Sequence, residues 1–205
     1  MKILNLYAGI GGNRKLWENV DVTAVELNPD IAKIYQDFFP NDKVIVGDAH
    51  QYLLEHYKEF DFIWSSPPCP THSRARKQLA VKSWGIQNHP VFPDMTLYQE
   101  IIFLNHYFEG KWLVENVIAF YKPLIRPNEF GSHWFWANFF IPPIKSNSRK
   151  HDGKIKELQE RKDFDISPYK NIGRKDKILR NCVEPELGLH IFNSMNQQEL
   201  KLFNN

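Results

Sequence analysis

The sequence predicts an α/β fold with a mainly parallel sheet and helices on both faces, and three observations carry that expectation. Short apolar runs alternate with segments whose apolar residues recur every three or four positions, the pattern of βαβ units. A length of 205 residues bounds the chain to about one domain. Hydrophobic residues make up 42%, with 14% aromatic, which is enough to build a core and excludes disordered or low-complexity classes. No apolar run approaches the roughly 20 residues that span a bilayer, so a membrane protein is not expected.

Taken in order, Ile3 to Tyr7 is a first strand, bounded by Gly9, Gly11 and Gly12, and Asn13 to Asn19 is a candidate helix. Val22 to Leu27 is a second strand. Pro29 starts a helix at the favoured first-turn position. Its residues Ile31, Ile34, Tyr35 and Phe38 share one face, and Pro40 stops it. Val44 to Val46 is a third strand, Asp48 caps a helix through Leu54, and Phe60 to Trp64 is a fourth strand. Residues 66–94, with five prolines, read as a long functional loop. Thr96 to Phe108 is a helix, Trp112 to Val117 a fifth strand, His133 to Ile141 a sixth, and Pro185 to Met195 a last helix. Residues 142–180 carry 12 Lys/Arg against 6 Asp/Glu with little apolar periodicity, and read as an insertion or small recognition segment.

The opening MKILNLY lacks a long apolar stretch and reads as a strand, not a secretory signal. Cys69 and Cys182 form no disulfide or zinc framework and suit a reducing cytosol. The net charge of +2 hides an asymmetry. Residues 1–69 hold 6 Lys/Arg against 10 Asp/Glu, residues 70–180 hold 19 against 11, and residues 181–205 hold 1 against 3. A basic middle points to a polyanionic partner, with a solvated surface as the weaker explanation.

Three signals carry chemistry. Tyr7-Ala8-Gly9-Ile10-Gly11-Gly12 follows the first strand, and Glu26 ends the second. Glycines there let the backbone approach a ligand, and an acidic side chain at the next strand end can hold ribose hydroxyls. That indicates a nucleotide-like cofactor, either a nicotinamide dinucleotide or S-adenosylmethionine, with the GxGG spacing against the dinucleotide. Asp48 is suited to accept from an adenine amino group, or to cap a helix. Second, Ser65-Ser66-Pro67-Pro68-Cys69-Pro70 lies at the carboxyl end of strand four, where ligands of open α/β sheets bind. The thiol is a strong intrinsic nucleophile, and His72, Arg74 and Arg76 are near enough in sequence to lower its pKa or to bind phosphate. Third, Glu115-Asn116-Val117 closes strand five, where a buried carboxyl can serve as a general acid toward a ring nitrogen or merely cap a helix.

Together YAGIGG, AVELNP, GDAH, SSPPCPTHS, TLYQE, WLVENV and RNCVEPELGLH follow the order and spacing of the DNA (cytosine-5) methyltransferases, and the short aromatic-rich form resembles versions carried by phages and prophages. The resemblance implies a Rossmann-like S-adenosylmethionine-dependent methyltransferase fold with a small basic insertion. It divides the chain into a catalytic core at 1–141, a reduced target-recognition insertion at 142–178, and a C-terminal cofactor motif and helix at 179–205. It implies that Cys69 adds to C6 of a cytosine flipped out of its duplex and that Glu115 contacts N3 and the exocyclic amine. S-adenosylmethionine would be lined by Tyr7, Ala8, Gly9, Ile10, Gly11, Gly12, Glu26, Leu27, Asp48, Ala49, Pro67, Leu97, Asn181 and Val183. Nucleic acid would meet Ser73, Arg74, Arg76 and His133. Double-stranded DNA is the implied partner, with no metal and no membrane. A bacterial cytoplasm and a restriction-modification or phage setting are the implied surroundings.

The chain also departs from the family. Pro70 stands where Gln is usual and His72 where Phe is usual, and the Gln-x-Arg-x-Arg motif that holds the flipped base has no clean match. Within or near Gly131 to Asn138, three residues compete for that part: His133, Asn138 and Arg126. Three rival readings follow. A tRNA cytosine-5 methyltransferase shares the PPC and ENV signals, a catalytically inactive nucleic-acid-binding homologue would explain the missing arginine, and an amino-methylating enzyme would need an aromatic residue where Cys69 stands. The tail Gln197 to Phe203 resembles short peptides that dock on sliding clamps, so an accessory protein or clamp joins the expected partners beside the plainer reading of a frayed amphipathic end.

Overall fold

A computed structural model describes residues 1–74, 92–144 and 153–203, with side chains described through residue 196. Arg76, most of the proline-rich loop and the side chains of the clamp-like tail lie outside the described residues.

Five strands of the sheet run parallel: β1 (Lys2–Leu6), β2 (Asp21–Glu26), β3 (Lys43–Val46), β4 (Phe62–Ser65) and β5 (Lys111–Val117). Two antiparallel strands, β6 (Asn128–Phe130) and β7 (His133–Ala137), extend it beyond β5. The order is β3-β2-β1-β4-β5-β7-β6. Chain direction across the sheet reverses between β1 and β4, and the crevice outside the carboxyl ends of the strands at such a reversal is where open α/β sheets bind ligands. Strand β6 was not expected from its sequence, Asn128-Glu129-Phe130, because it has neither length nor alternation and exists by pairing with β7. The expected sixth strand ends at Ala137 instead of Ile141.

The central strands are mostly apolar because helices cover both faces. On one face Leu4, Leu6, Ile63 and Val114 pack against Leu53 of α2 (Ala49–His56) and against Leu97, Ile101 and Leu104 of α3 (Thr96–Tyr107). On the other, Ile3, Phe62, Trp64 and Leu113 meet Trp17 and, from the long C-terminal helix, Ile191, Phe192 and Met195. Helix α1 (Pro29–Phe38) starts as its sequence predicts: Asn28 Oδ1 accepts from the Asp30 and Ile31 amides, with Pro29 next.

The candidate helix at Asn13 to Asn19 is instead a run of turns. So short a segment is too small to hold a helix by propensity, and the polar side chains are drawn sideways to other elements. Asn13 Nδ2 donates to Asn5 Oδ1 at 2.8 Å, Arg14 forks onto Asp42 at 2.9 and 3.1 Å, and the Trp17 indole donates to the Gly188 carbonyl at 3.2 Å.

The basic segment also has more apolar organisation than its composition indicates. It contains α4 (Ile155–Lys162) and α5 (Lys175–Asn181), the latter running across the expected boundary at 178, and is followed by α6 (Pro185–Phe203). Leu158, Phe164, Ile166 and Leu179 are buried against Ile34, Tyr35 and Phe39. Lys162, 1% exposed, donates to the Cys182 carbonyl and to Glu184 Oε1, so its charge is paired where it is buried.

Candidate active site

The carboxyl ends of β1, β2, β4 and β5, with the turn after β3 and the start of α2, open onto one cavity of about 1430 Å³. Its walls include Tyr7, Ala8, Gly9, Ile10 and Gly12 from the turn after β1, Glu26 and Leu27 from the end of β2, and Asp48 and Ala49. Pro67, Cys69, Ser73 and Arg74 follow β4, Glu115 lies near the end of β5, His133 starts β7, and Asn181 and Val183 close the C-terminal side. Two of the expected cofactor residues do not line it. Leu97 is core, 2% exposed, and Thr96 stands at the wall in its place. Gly11 lies behind the wall at φ 85°, where an added Cβ would press into the rings of Tyr35 and Phe39.

The turn after β1 is held from two sides. Glu26 Oε2 accepts from the Gly9 amide at 3.0 Å while Oε1 accepts from the Asn28 amide at 2.9 Å. Gly9 sits at φ 56° with open space where a Cβ would be, so the backbone there is bare toward the cavity. Gly12 has the opposite reason for being glycine: a Cβ would collide with Cys182 Sγ and the Val183 carbonyl, which close over the turn. Asp48 caps α2 by accepting from the Gln51 amide at 2.9 Å and lines the cavity as well, so the two sequence readings of this residue coexist.

On the other side, the Cys69 carbonyl accepts from the His72 and Ser73 amides at 3.0 and 3.1 Å and turns the chain sharply after the prolines. Asn116 Nδ2 donates to the Pro67 carbonyl at 2.9 Å and ties this loop to the end of β5. Burial pushes the Cys69 thiol above its ordinary pKa, and the Glu115 carboxylate pushes it further the same way, while Lys177 acts weakly against both. Cys182 differs: burial drives its thiol up to about 11, so it carries almost no thiolate at neutral pH. His72 is buried, its Nδ1 lies 2.6 Å from the Tyr121 hydroxyl, and burial lowers its pKa. A neutral imidazole supplies no positive charge to activate Cys69, contrary to one of the sequence expectations.

The three candidates for the missing base-holding residue separate cleanly. Asn138 belongs to the opposite end of β5, where it accepts from the Trp112 amide at 3.0 Å and donates to the Gly110 carbonyl at 2.9 Å. Arg126 lines a separate groove with Ile101, Trp112 and Trp136. His133 is paired with Val117, two positions from the Glu115–Phe135 pair, which sets His133 and Glu115 on one face of the sheet. His133 Nε2 lies 3.6 Å from Glu115 Oε1.

Several wall residues were not singled out in the sequence. Lys177 and Arg180 reach the cavity from α5, inside a segment whose charge alone marked it. His50 and Thr96 also line it; they stand in the GDAH and TLYQE motifs, where neither was given a role of its own. Among the described residues there is no group of three potential metal ligands, and no helix is long and apolar enough to cross a membrane.

The residues fit S-adenosylmethionine: a bare glycine backbone, carboxylates at successive strand ends for hydroxyl and amino groups, and Leu27, 69% exposed at the wall, as an apolar surface for a ring. Fold and site define an S-adenosylmethionine-dependent methyltransferase of Rossmann-like architecture, with a sheet that is parallel except for its β6–β7 edge. The model of the C-5 cytosine-specific DNA methylase family matches residues 1–121, and the chain belongs to that family. A curated relative, the tRNA (cytosine(38)-C(5))-methyltransferase of Spodoptera frugiperda, is 33% identical over 85 residues, covering 38% of this chain and 26% of the relative. The match thus spans about a quarter of that relative's length. Among solved structures, a mutant of DNMT2 from Spodoptera frugiperda is 25% identical, with a TM-score of 0.38, covering 57% of this chain and 35% of that one. The putative methyltransferase yhhF from Escherichia coli is 16% identical with a TM-score of 0.44, covering 66% and 73%.

Proposed function

We propose that the chain is a DNA (cytosine-5) methyltransferase that works through a covalent Cys69 adduct on a cytosine turned out of its duplex. The observation that carries the reading is that Cys69, in the loop after β4, and Glu115, on β5, line the same cavity as the glycine turn and the Glu26 and Asp48 carboxylates. A thiol, a carboxyl and a cofactor turn sharing one cavity is what methylation of an unreactive ring carbon requires.

In this reading Cys69, as thiolate, forms a bond to C6, and the electron pair of the C5–C6 double bond moves toward C5. Glu115 meets N3 and the exocyclic amine and stabilises the charge spread into the ring. S-adenosylmethionine, when bound, would supply an electrophilic methyl group: C5 gives its electron pair to that carbon as the sulfur–methyl bond breaks, and S-adenosylhomocysteine is the leaving group. A base, taken to be water, removes the C5 proton, the double bond re-forms, and Cys69 leaves as thiolate. Burial and Glu115 raise the Cys69 pKa, so in this reading the thiol gives up its proton to water as the bond to C6 forms.

Residues Tyr7, Ala8, Gly9, Ile10, Gly12, Glu26, Leu27, Asp48, Ala49, Pro67, Asn181 and Val183 would hold the cofactor, with Gly11 and Leu97 supporting the wall from behind. Ser73 and Arg74, with Arg76 two positions on in the sequence, would meet the nucleic-acid backbone, and His133 would take the part of the base-holding arginine. Turning the base out costs a few kcal/mol, which phosphate contacts from the basic middle would offset. A bacterial cytoplasm and a phage-type setting belong to this reading.

A second reading, methylation of tRNA, is favoured by one observation: the curated relative bears a tRNA methyltransferase name. Methyl transfer from labelled S-adenosylmethionine to duplex DNA and to tRNA tests both. With 5-fluorocytosine in the substrate, a denaturation-resistant adduct that Cys69→Ala abolishes supports the covalent route. Transfer to tRNA alone would replace DNA as the substrate, and transfer without an adduct would refute the route.

A further inference from the structure

Glu100, in the second turn of α3, is 0% exposed. Among the described residues no lysine or arginine pairs with it; His50 Nδ1, 3.0 Å from Oε1, is its ion-pair partner. Two hydroxyls serve it directly. Tyr7 donates to Oε1 at 2.6 Å and Ser65 donates to Oε2 at 2.5 Å. Burying a carboxylate is costly unless its lone pairs are satisfied, and apolar side chains of similar volume often stabilise as well. Stability alone therefore gives no reason for a carboxylate here.

The donors supply one. Tyr7 is the first residue of the glycine turn and sits at φ 54°, a left-handed conformation that a non-glycine residue keeps only when its surroundings enforce it. Ser65 is the last residue of β4, four positions before Cys69. His50 stands in the first turn of α2, two residues after Asp48, and lines the cavity. The two oxygens of one side chain therefore grip the cofactor turn and the root of the nucleophile loop together.

We infer that Glu100 is a positioning residue that sets both halves of the active site, the glycine turn through Tyr7 and the Cys69 loop through Ser65. The inference deepens the proposed function and rests on it for the role of Cys69. Three substitutions in the full chain separate its arms: Tyr7→Phe, Ser65→Ala and Glu100→Gln. Two readouts need no nucleic acid: the Kd of S-adenosylhomocysteine by calorimetry and the rate of Cys69 alkylation by iodoacetamide.

Losing a hydrogen bond to a charged group should weaken S-adenosylhomocysteine binding about tenfold in Tyr7→Phe and at least as much in Glu100→Gln. Ser65→Ala should shift Cys69 alkylation by about threefold or more while changing the Kd by less than about twofold. If Glu100→Gln fails to fold, the other two substitutions still decide the matter. Lower melting temperatures with Kd and alkylation rate both within about twofold of wild type would reduce Glu100 to a structural residue and overturn the inference. A wild-type chain that does not bind S-adenosylhomocysteine would overturn the reading of the cavity itself, and the inference with it.

Discussion

Asn116 Nδ2 donates to the Pro67 carbonyl at 2.9 Å, and this bond fastens the loop that carries Cys69 to the strand that carries Glu115. Asn116 is buried at 2% exposure, and its own Oδ1 accepts from the Val117 amide at 3.0 Å, which fixes its orientation. An asparagine can do both because its amide offers a donor and an acceptor. Asn116→Ala leaves a buried carbonyl without its donor and should cost about 1–3 kcal/mol of stability. Methyl transfer should fall further than stability explains, since thiol and carboxyl lose their common tether. Thermal denaturation and transfer assayed on the same preparation check this; full activity in a destabilised variant would contradict it.

Cys69 and Cys182 should be told apart by pH. Burial and the nearby Glu115 carboxylate both raise Cys69, while burial above all carries Cys182 to about 11. Iodoacetamide labelling in the native state should therefore modify Cys69 first, with a midpoint above that of a free thiol, about 8.5. Glu115→Gln removes the second cause and should move the midpoint down, speeding labelling near neutral pH. Mass spectrometry of the labelled peptides decides it, and a midpoint unmoved by Glu115→Gln would mean that burial alone sets the shift.

Much of this arrangement was legible in the sequence because the local pattern and the fold agree. Within Ile3 to Leu6, Val22 to Val25 and Phe62 to Trp64 every residue but Asn5 and Thr23 is apolar, as strands covered on both faces must be. Asn28-Pro29 and Asp48 announce helix starts through their capping chemistry. What was not legible depends on partners distant in sequence. Asn13 to Asn19 is turned by bonds to Asn5, Asp42 and Gly188, none visible in its own periodicity. The basic segment hides Leu158, Phe164, Ile166 and Leu179 among its charges, too sparse for a periodic signal. In the site, the glycine turn, Cys69 and Glu115 stand out by residue type and position, but Glu100 looks like an ordinary helix carboxylate until its hydroxyl partners, 93 and 35 positions away, are seen.

His50 gives the site a pH-dependent brace. Its hydrogen bond to Glu100 raises its pKa, with burial opposing and Asp48 and Asp94 assisting. A histidine raised on folding stabilises fully below its unfolded pKa, about 6.5, and loses that contribution as pH climbs through the higher folded value. The melting-temperature gap between wild type and His50→Gln should thus be widest near about pH 6 and narrow toward about pH 9. A gap independent of pH would show that the neutral imidazole contributes as much as the charged one.

His133 is the base-holding candidate that lines the same cavity as Glu115. It shares a sheet face with Glu115 at 3.6 Å, whereas Asn138 is committed to the far end of β5 and Arg126 to another groove. If His133 helps hold the flipped base, His133→Ala should lower kcat about tenfold to a hundredfold, the scale of a lost hydrogen bond to a charged or polarised group. His133→Arg should recover part of that loss, because a guanidinium supplies the donors that the family draws from arginine. Asn138→Ala should lower the melting temperature and leave kcat near wild type, since its bonds end at Trp112 and Gly110. The reverse pattern, with Asn138→Ala impairing turnover and His133→Ala harmless, would reassign base holding away from β7's first residue. Equal loss in His133→Ala and His133→Arg, with unchanged nucleic-acid affinity, would instead mean that the imidazole acts on Glu115 alone.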